Sequence, residues 1–121
     1  MAKTILIVED YPDTLNLLDM IFKKEGYEVD KATSGEQALD FIAKKKFDLV
    51  VLDVMLPRLD GFGVCRRIKL SENNKKTPVL IITAFDVPDI IDKCKSAGAN
   101  EVILKPFDQE GLVNTVKKYI G

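Results

Sequence analysis

Asp48-Leu49-Val50-Val51-Leu52-Asp53 is an apolar run closed by a carboxylate. An almost unbroken run of this kind suits a strand covered on both faces, as in a parallel sheet. A charge at its C-terminal end is then delivered to one rim of that sheet. The same arrangement recurs along the chain. Thr4 to Val8 reads as a strand followed by Glu9 and Asp10, Val79 to Ile82 as one followed by Thr83, and Glu101 to Leu104 as one followed by Lys105. Three carboxylates gathered on one rim repel one another and need neutralising, usually by a hard divalent cation. That is the outline of a phosphoryl-chemistry site.

Helix-period segments alternate with these runs. The first helix runs from about Pro12 to Glu25, with Leu15, Leu18, Ile21 and Phe22 on one face, Pro12 in its first turn and Gly26 as its stop. Glu28 to Ala32 is a more polar strand, suited to a sheet edge. Ser34 and Gln37 form a capping box for a second helix bearing Ala38, Leu39, Ile42 and Ala43. A third helix starts near Gly61 with Phe62, Cys65 and Ile68 inward. A fourth starts near Pro88 and stops at Gly98, and a fifth follows Asp108 and carries Leu112, Val113, Val116 and Ile120. Five βα units with short loops and right-handed crossovers make a doubly wound α/β sheet, expected as one domain over residues 1–121. Ligands of such sheets bind beyond the carboxyl ends of the strands, where Glu9, Asp10, Asp53, Thr83 and Lys105 fall.

Composition narrows the function. With 121 residues, 46% of them hydrophobic, the chain suits one compact core. A net charge of −1 gives no overall pull toward nucleic acid or membrane. The basic clusters Lys44-Lys45-Lys46 and Lys75-Lys76 read first as solvated loops and helix ends. No run is long enough for a membrane span and no basic-then-apolar leader is seen, so a cytoplasmic location is expected. Cys65 and Cys94 lie in helical patterns without metal spacing, as small apolar residues in a reducing compartment. The chain contains no histidine, which excludes His-based catalysis, His metal ligands and a phosphohistidine donor within it.

Val8-Glu9-Asp10, Leu52-Asp53-Val54-Met55-Leu56-Pro57, Asp60-Gly61, Ile82-Thr83-Ala84 and Leu104-Lys105-Pro106-Phe107 together resemble the receiver domains of bacterial two-component response regulators, over essentially the whole chain. The resemblance implies a flavodoxin-like (βα)5 fold with strand order 2-1-3-4-5, the order of the chemotaxis receiver. It also implies a role for each motif residue. Asp53 is the phosphoacceptor, a carboxylate that attacks phosphorus held in line to form an acyl phosphate. Mg²⁺ is bound by Asp10 directly, by Glu9 through water, by Asp53 and by the backbone carbonyl of Met55. Thr83 donates its hydroxyl to a phosphoryl oxygen, and Lys105 neutralises one as a compact charge. The Lys105-Pro106 bond is implied to be cis. Taken singly, these residues have plainer readings: a strand-end aspartate, an Asp10 cap on the first helix, a turn threonine, a solvated lysine.

The implied reaction is phosphoryl transfer by positioning and charge neutralisation. The donor is a phosphohistidine on a sensor histidine kinase or phosphotransfer protein, or a small phosphodonor such as acetyl phosphate. The chain modifies only itself and is not a turnover enzyme. The surface of the fourth helix, fifth strand and fifth helix, near Ile90, Ile91, Val113 and Tyr119, is the implied face for a downstream protein target.

Two features depart from the family pattern. The aromatic residue expected three before Lys105 is Val102, so the usual aromatic switch cannot operate. Thr83 is expected to move nonetheless, with Phe85 or Phe107 absorbing the repacking. The positions two after Asp53 and two after Thr83, which tune dephosphorylation, are the bulky Met55 and Phe85. They are expected to hinder in-line water and lengthen the phosphoryl lifetime.

Other readings fit less well. A haloacid-dehalogenase-type phosphatase needs an aspartate where Met55 stands. An FMN carrier needs a Ser/Thr/Gly-rich first loop, whereas Val8-Glu9-Asp10-Tyr11 repels phosphate. A receiver-fold interaction module that is never phosphorylated is the remaining alternative. The chain ends at Gly121, just after the fifth helix, and fits either a stand-alone receiver or part of a longer regulator.

Overall fold

The alternation of apolar runs and amphipathic segments resolves into a five-stranded parallel sheet with helices on both faces. A computed structural model describes residues 2–56, 60–84 and 88–121. The elements are β1 (Thr4–Val8), α1 (Pro12–Lys24), β2 (Glu28–Ala32), α2 (Gly35–Lys44), β3 (Leu49–Leu52), α3 (Gly61–Leu70), β4 (Val79–Thr83), α4 (Ile90–Ser96), β5 (Glu101–Leu104) and α5 (Gln109–Ile120). The strands lie in the order β2-β1-β3-β4-β5, all parallel. The polar β2 is at one edge, and the three apolar strands are central.

Period-two alternation splits each central strand between two cores. Leu6, Val8, Val50, Leu52, Val79 and Ile81 face α2, α3 and α4. Ile5, Ile7, Leu49, Val51, Leu80 and Ile82 face α1 and α5. Both faces are covered, which is why these strands read as continuous apolar runs.

The helix ends follow the sequence chemistry with some shifts. Ser34 Oγ accepts from Gln37 N at 3.2 Å, while Gln37 Oε1 accepts from Thr33 N at 2.8 Å, one residue before the usual partner. Asp108 Oδ2 accepts from Gly111 N at 3.0 Å. Gly26, at φ 91, supplies the left-handed residue after α1. α4 begins at Ile90 rather than Pro88, because Asp89 has φ 68 and cannot continue a right-handed helix. β4 extends one residue further than the sequence suggests, taking in Thr83, and β3 begins at Leu49 rather than Asp48. In α3, Val64 is buried with Cys65 and Ile68, and Phe62 is only half-buried.

The opposite, N-terminal end of the strands is tied by a buried polar network that sequence patterning does not reveal. Asn74 Oδ1 accepts from Phe47 N at 2.8 Å, and Asn74 Nδ2 donates to Ile42 O at 3.0 Å and Lys45 O at 2.7 Å. Thr77 Oγ1 donates to Phe47 O at 3.0 Å. Asn74 and Thr77 are buried, so these bonds replace the hydration they lose. Among the described residues, no helix is long and apolar enough to cross a membrane.

Cys65 and Cys94 are fully buried and free. Burial pushes the Cys65 thiol up to about 11, with Lys69 opposing, and raises Cys94 as well. The thiolate is the reactive form, so at pH 8 labelling of the native protein by an aromatic disulfide should be slower than that of the urea-unfolded chain by about 100-fold or more. Rapid labelling of either thiol in the native state contradicts this packing.

Candidate functional site

Register carries the candidate side chains to one rim. Val8 pairs with Leu52, so Glu9 and Asp53 each follow the last paired residue of adjacent strands. Thr83 pairs with Leu104, which places Lys105 just past the end of β4. Backbone bonds hold these positions: Glu9 N donates to Ala32 O at 3.0 Å, Asp53 N to Val8 O at 3.0 Å and Lys105 N to Thr83 O at 2.8 Å. Glu9, Asp53 and Thr83 are buried, at 2%, 6% and 0% exposure.

Lys105 joins the two acids. Its Nζ donates to Glu9 Oε1 at 2.8 Å and to Asp53 Oδ2 at 3.0 Å. The remaining oxygens are held by backbone: Glu9 Oε2 accepts from Tyr11 N at 3.2 Å and Asp53 Oδ1 from Met55 N at 2.9 Å. Burial pushes the Glu9 carboxyl above the ordinary carboxylate range. The Lys105 and Tyr11 hydrogen bonds oppose that rise and the Asp53 charge adds to it. Burial alone would lower Lys105, but its bonds to Glu9 and Asp53 outweigh this, and the ammonium titrates above an ordinary lysine. Lys105 is therefore charged throughout the physiological range.

The expected gathering of three carboxylates is met by two. Among the described residues no three metal-binding side chains converge. Successive residues of extended chain turn to opposite sides, so Glu9 goes inward and Asp10 is exposed. Asp10 does not cap α1 either: Tyr11 is the N-cap residue and makes no side-chain cap bond. Among the described residues the Asp10 carboxylate has no hydrogen-bond or ion-pair partner. The donor set nevertheless fits Mg²⁺, a hard cation that keeps several waters and takes only one or two carboxylates. Asp53 and the free Asp10 carboxylate are the side chains that would supply these.

The tuning positions divide. Met55 is 53% exposed beside Asp53. Phe85 lies outside the described residues. Val102 is half-buried in the core beneath α2 to α4, whereas Phe107 packs in the opposite core with α1 and α5. Repacking around Val102 therefore does not meet Phe107 directly. The Lys105-Pro106 bond is cis.

Gly61 is a site residue whose role the sequence leaves unstated. A Cβ there would lie 2.2 Å from Val54 Cα and 2.7 Å from Asp53 O, and Gly61 N donates to Val54 O at 3.1 Å. Asp60 Oδ1 caps α3 from Gly63 N at 2.9 Å. The start of α3 thus sits directly on the peptide following Asp53, and only glycine permits that approach. Sequence reading also missed an exposed apolar strip: Leu17 and Met20, three residues apart on α1, with Tyr11 at its N-cap.

Residues 5–117 match the family model described as the response regulator receiver domain. The chain is 40% identical over 120 residues to sporulation initiation phosphotransferase F of Bacillus subtilis (strain 168), covering 99% of this chain and 95% of that protein. It is 37% identical over 108 residues to response regulator GtcR of Aneurinibacillus migulanus, covering 89% of this chain but 43% of that protein. Among solved structures it superimposes with a TM-score of 0.92 and 30% identity on the receiver domain of sensor histidine kinase PA1611 from Pseudomonas aeruginosa PAO1. That match covers 100% of this chain and 99% of that one, and the structure holds a magnesium ion coordinated in its active-site cleft.

Gly61→Ala should lower stability by about 1–3 kcal/mol, the usual cost of overpacking. It should also shift the amide resonances of Asp53 and Met55. Urea titration and heteronuclear NMR check both; unchanged stability with unmoved Asp53 resonances would contradict the close approach.

Proposed function

The chain belongs to the response regulator receiver domain family, and on that premise we propose a phosphorylation-operated signalling switch with Asp53 as its acceptor. The observation that carries this reading is the Lys105 ammonium 3.0 Å from Asp53 Oδ2 at the end of β3, beside the buried Glu9. A carboxylate held in place beside a fixed positive charge is suited to attack phosphorus.

An Asp53 oxygen forms a bond to phosphorus as the bond from phosphorus to the donor nitrogen, or to the oxygen of acetyl phosphate, breaks. Lys105 then exchanges its contact with the Asp53 carboxylate for one with a phosphoryl oxygen, and Thr83 donates its hydroxyl to another. Mg²⁺, held by Asp10, Asp53 and the Met55 carbonyl with Glu9 through water, would neutralise phosphoryl charge. Hydrolysis of the acyl phosphate resets the switch, so the chain catalyses only its own modification.

The phosphoryl group adds roughly −1.5 to −2 charge at a packed rim. Thr83 spans that rim and the pairing with β5, so its movement reaches α4, β5 and α5. Ile91 and Leu104 are exposed there, while Ile90 is buried and Val113 and Tyr119 are half-buried. This face is assigned to the downstream protein target. The exposed Leu17 and Met20 of α1, with Tyr11, suit docking of the sensor kinase or phosphotransfer protein. No nucleic acid or membrane contact is part of the proposal.

Acetyl phosphate with Mg²⁺ should add one phosphoryl mass to the wild type and none to Asp53→Asn, read by intact mass; equal labelling of both, or none of either, rejects the acceptor assignment. Met55→Asn should shorten the phosphoryl lifetime by opening the in-line path to water. An unchanged rate of phosphate release rejects the shielding role of Met55.

A further inference from the structure

The two basic clusters noted in the sequence have no part in the phosphoryl site, yet the fold brings them together. β1, β3 and β4 are adjacent and parallel, so the residues just before them share one rim, opposite to Glu9 and Asp53. Lys3 precedes β1, Lys46 precedes β3 and Lys76 precedes β4. All three line a single concavity of about 210 Å³.

The backbone at Lys3 and beside Lys46 and Lys76 is held by hydrogen bonds. Glu28 N donates to Lys3 O at 2.9 Å, Asp48 N to Thr4 O at 2.9 Å, and Thr77 N to Asn74 O at 3.0 Å. The buried Asn74 and Thr77 side chains tie the loop carrying Lys46 to the loop carrying Lys76 through Phe47. Among the described residues, none of the three ammonium groups has a carboxylate within ion-pair distance. Neighbouring lysines differ: Lys45 pairs with Asp30 at 2.6 Å and Lys75 with Glu72 at 3.8 Å. The carboxylate lining the concavity, Asp48, accepts from Thr4 N at 2.8 Å. Three positive charges thus face one negative charge already engaged by backbone.

We propose that Lys3, Lys46 and Lys76 form a second anion site, at the N-terminal end of the strands, for a small phosphate-bearing anion. Lysine is a compact point charge suited to phosphate oxygens. The volume decides the ligand size, since it lies below the roughly 300 Å³ at which pockets for drug-sized ligands begin. Inorganic phosphate and pyrophosphate fit this limit; a nucleotide does not. The site is separate from Asp53 and needs no divalent cation.

The test is a pyrophosphate titration of the full chain in low salt with EDTA, followed by amide NMR, so that a magnesium-dependent site is silent. Saturable shifts at Lys46, Asp48 and Thr77 are expected. Lys46→Ala/Lys76→Ala should weaken binding about 10-fold, about 3-fold for each exposed charge removed. Lys44→Ala/Lys75→Ala, which removes two neighbouring lysines that do not line the concavity, should bind as the wild type does. The four lysines are exposed, so both variants should fold. Shifts that never saturate, that chloride of equal ionic strength reproduces, or that survive Lys46→Ala/Lys76→Ala overturn the proposal.

Discussion

A single ammonium group between two buried carboxylates governs the arrangement of the functional rim. Without Lys105, Glu9 and Asp53 would face each other in a site that excludes most water, where their repulsion is poorly screened. With it, the three groups together carry a net charge of −1 when both acids are ionised, and every carboxylate oxygen has a donor. Burial nevertheless keeps the Glu9 carboxyl above the ordinary carboxylate range. The lysine thus occupies part of the neutralising role expected of a divalent ion, while Asp10 stands exposed and unengaged.

The scaffold around this contact is stiff for identifiable reasons. Both faces of the central strands are packed, so each strand end is fixed in height by its register. Gly61 then brings the start of α3 onto the peptide after Asp53, closing the β3 end from the other side. The Asp53 carboxylate is held by its own backbone, by Met55 N and by Lys105, a degree of positioning that suits chemistry driven by alignment. By contrast β5 is only partly buried, and Val102 fills its position on the α4 side with a small side chain. The β5 edge is therefore less tightly packed than the central strands.

The two ends of the sheet differ in how their charges are arranged. Carboxylates follow β1 and β3 and are joined by Lys105 after β5, whereas Lys3, Lys46 and Lys76 precede β1, β3 and β4. At the C-terminal end of the strands the charges pair across the site; at the other end the lysines stand around a concavity bordered by the Asn74 and Thr77 hydrogen bonds.

Much of the fold was legible in linear order. Period-two and period-3.6 hydropathy records which side chains lose water, and that is a local property of the chain. Strand and helix order, the caps at Ser34 and Asp108, the turn at Gly26 and the charged residue at each strand end could all be read directly. Helix α4 was misplaced by two residues because the left-handed turn at Asp89 has no periodic signal. The strand order came with the resemblance, since periodicity does not say which strands are neighbours.

Tertiary structure alone decided the pairing. Glu9 and Lys105 are 96 residues apart, and no local pattern states that the ammonium of one donates to the carboxylate of the other. That Glu9 turns inward and Asp10 outward, that Gly61 presses on Val54, and that Lys3, Lys46 and Lys76 meet at one rim depend on register and packing. Hydropathy is written residue by residue along a chain, whereas contact between distant charges exists only once the sheet has set their separation.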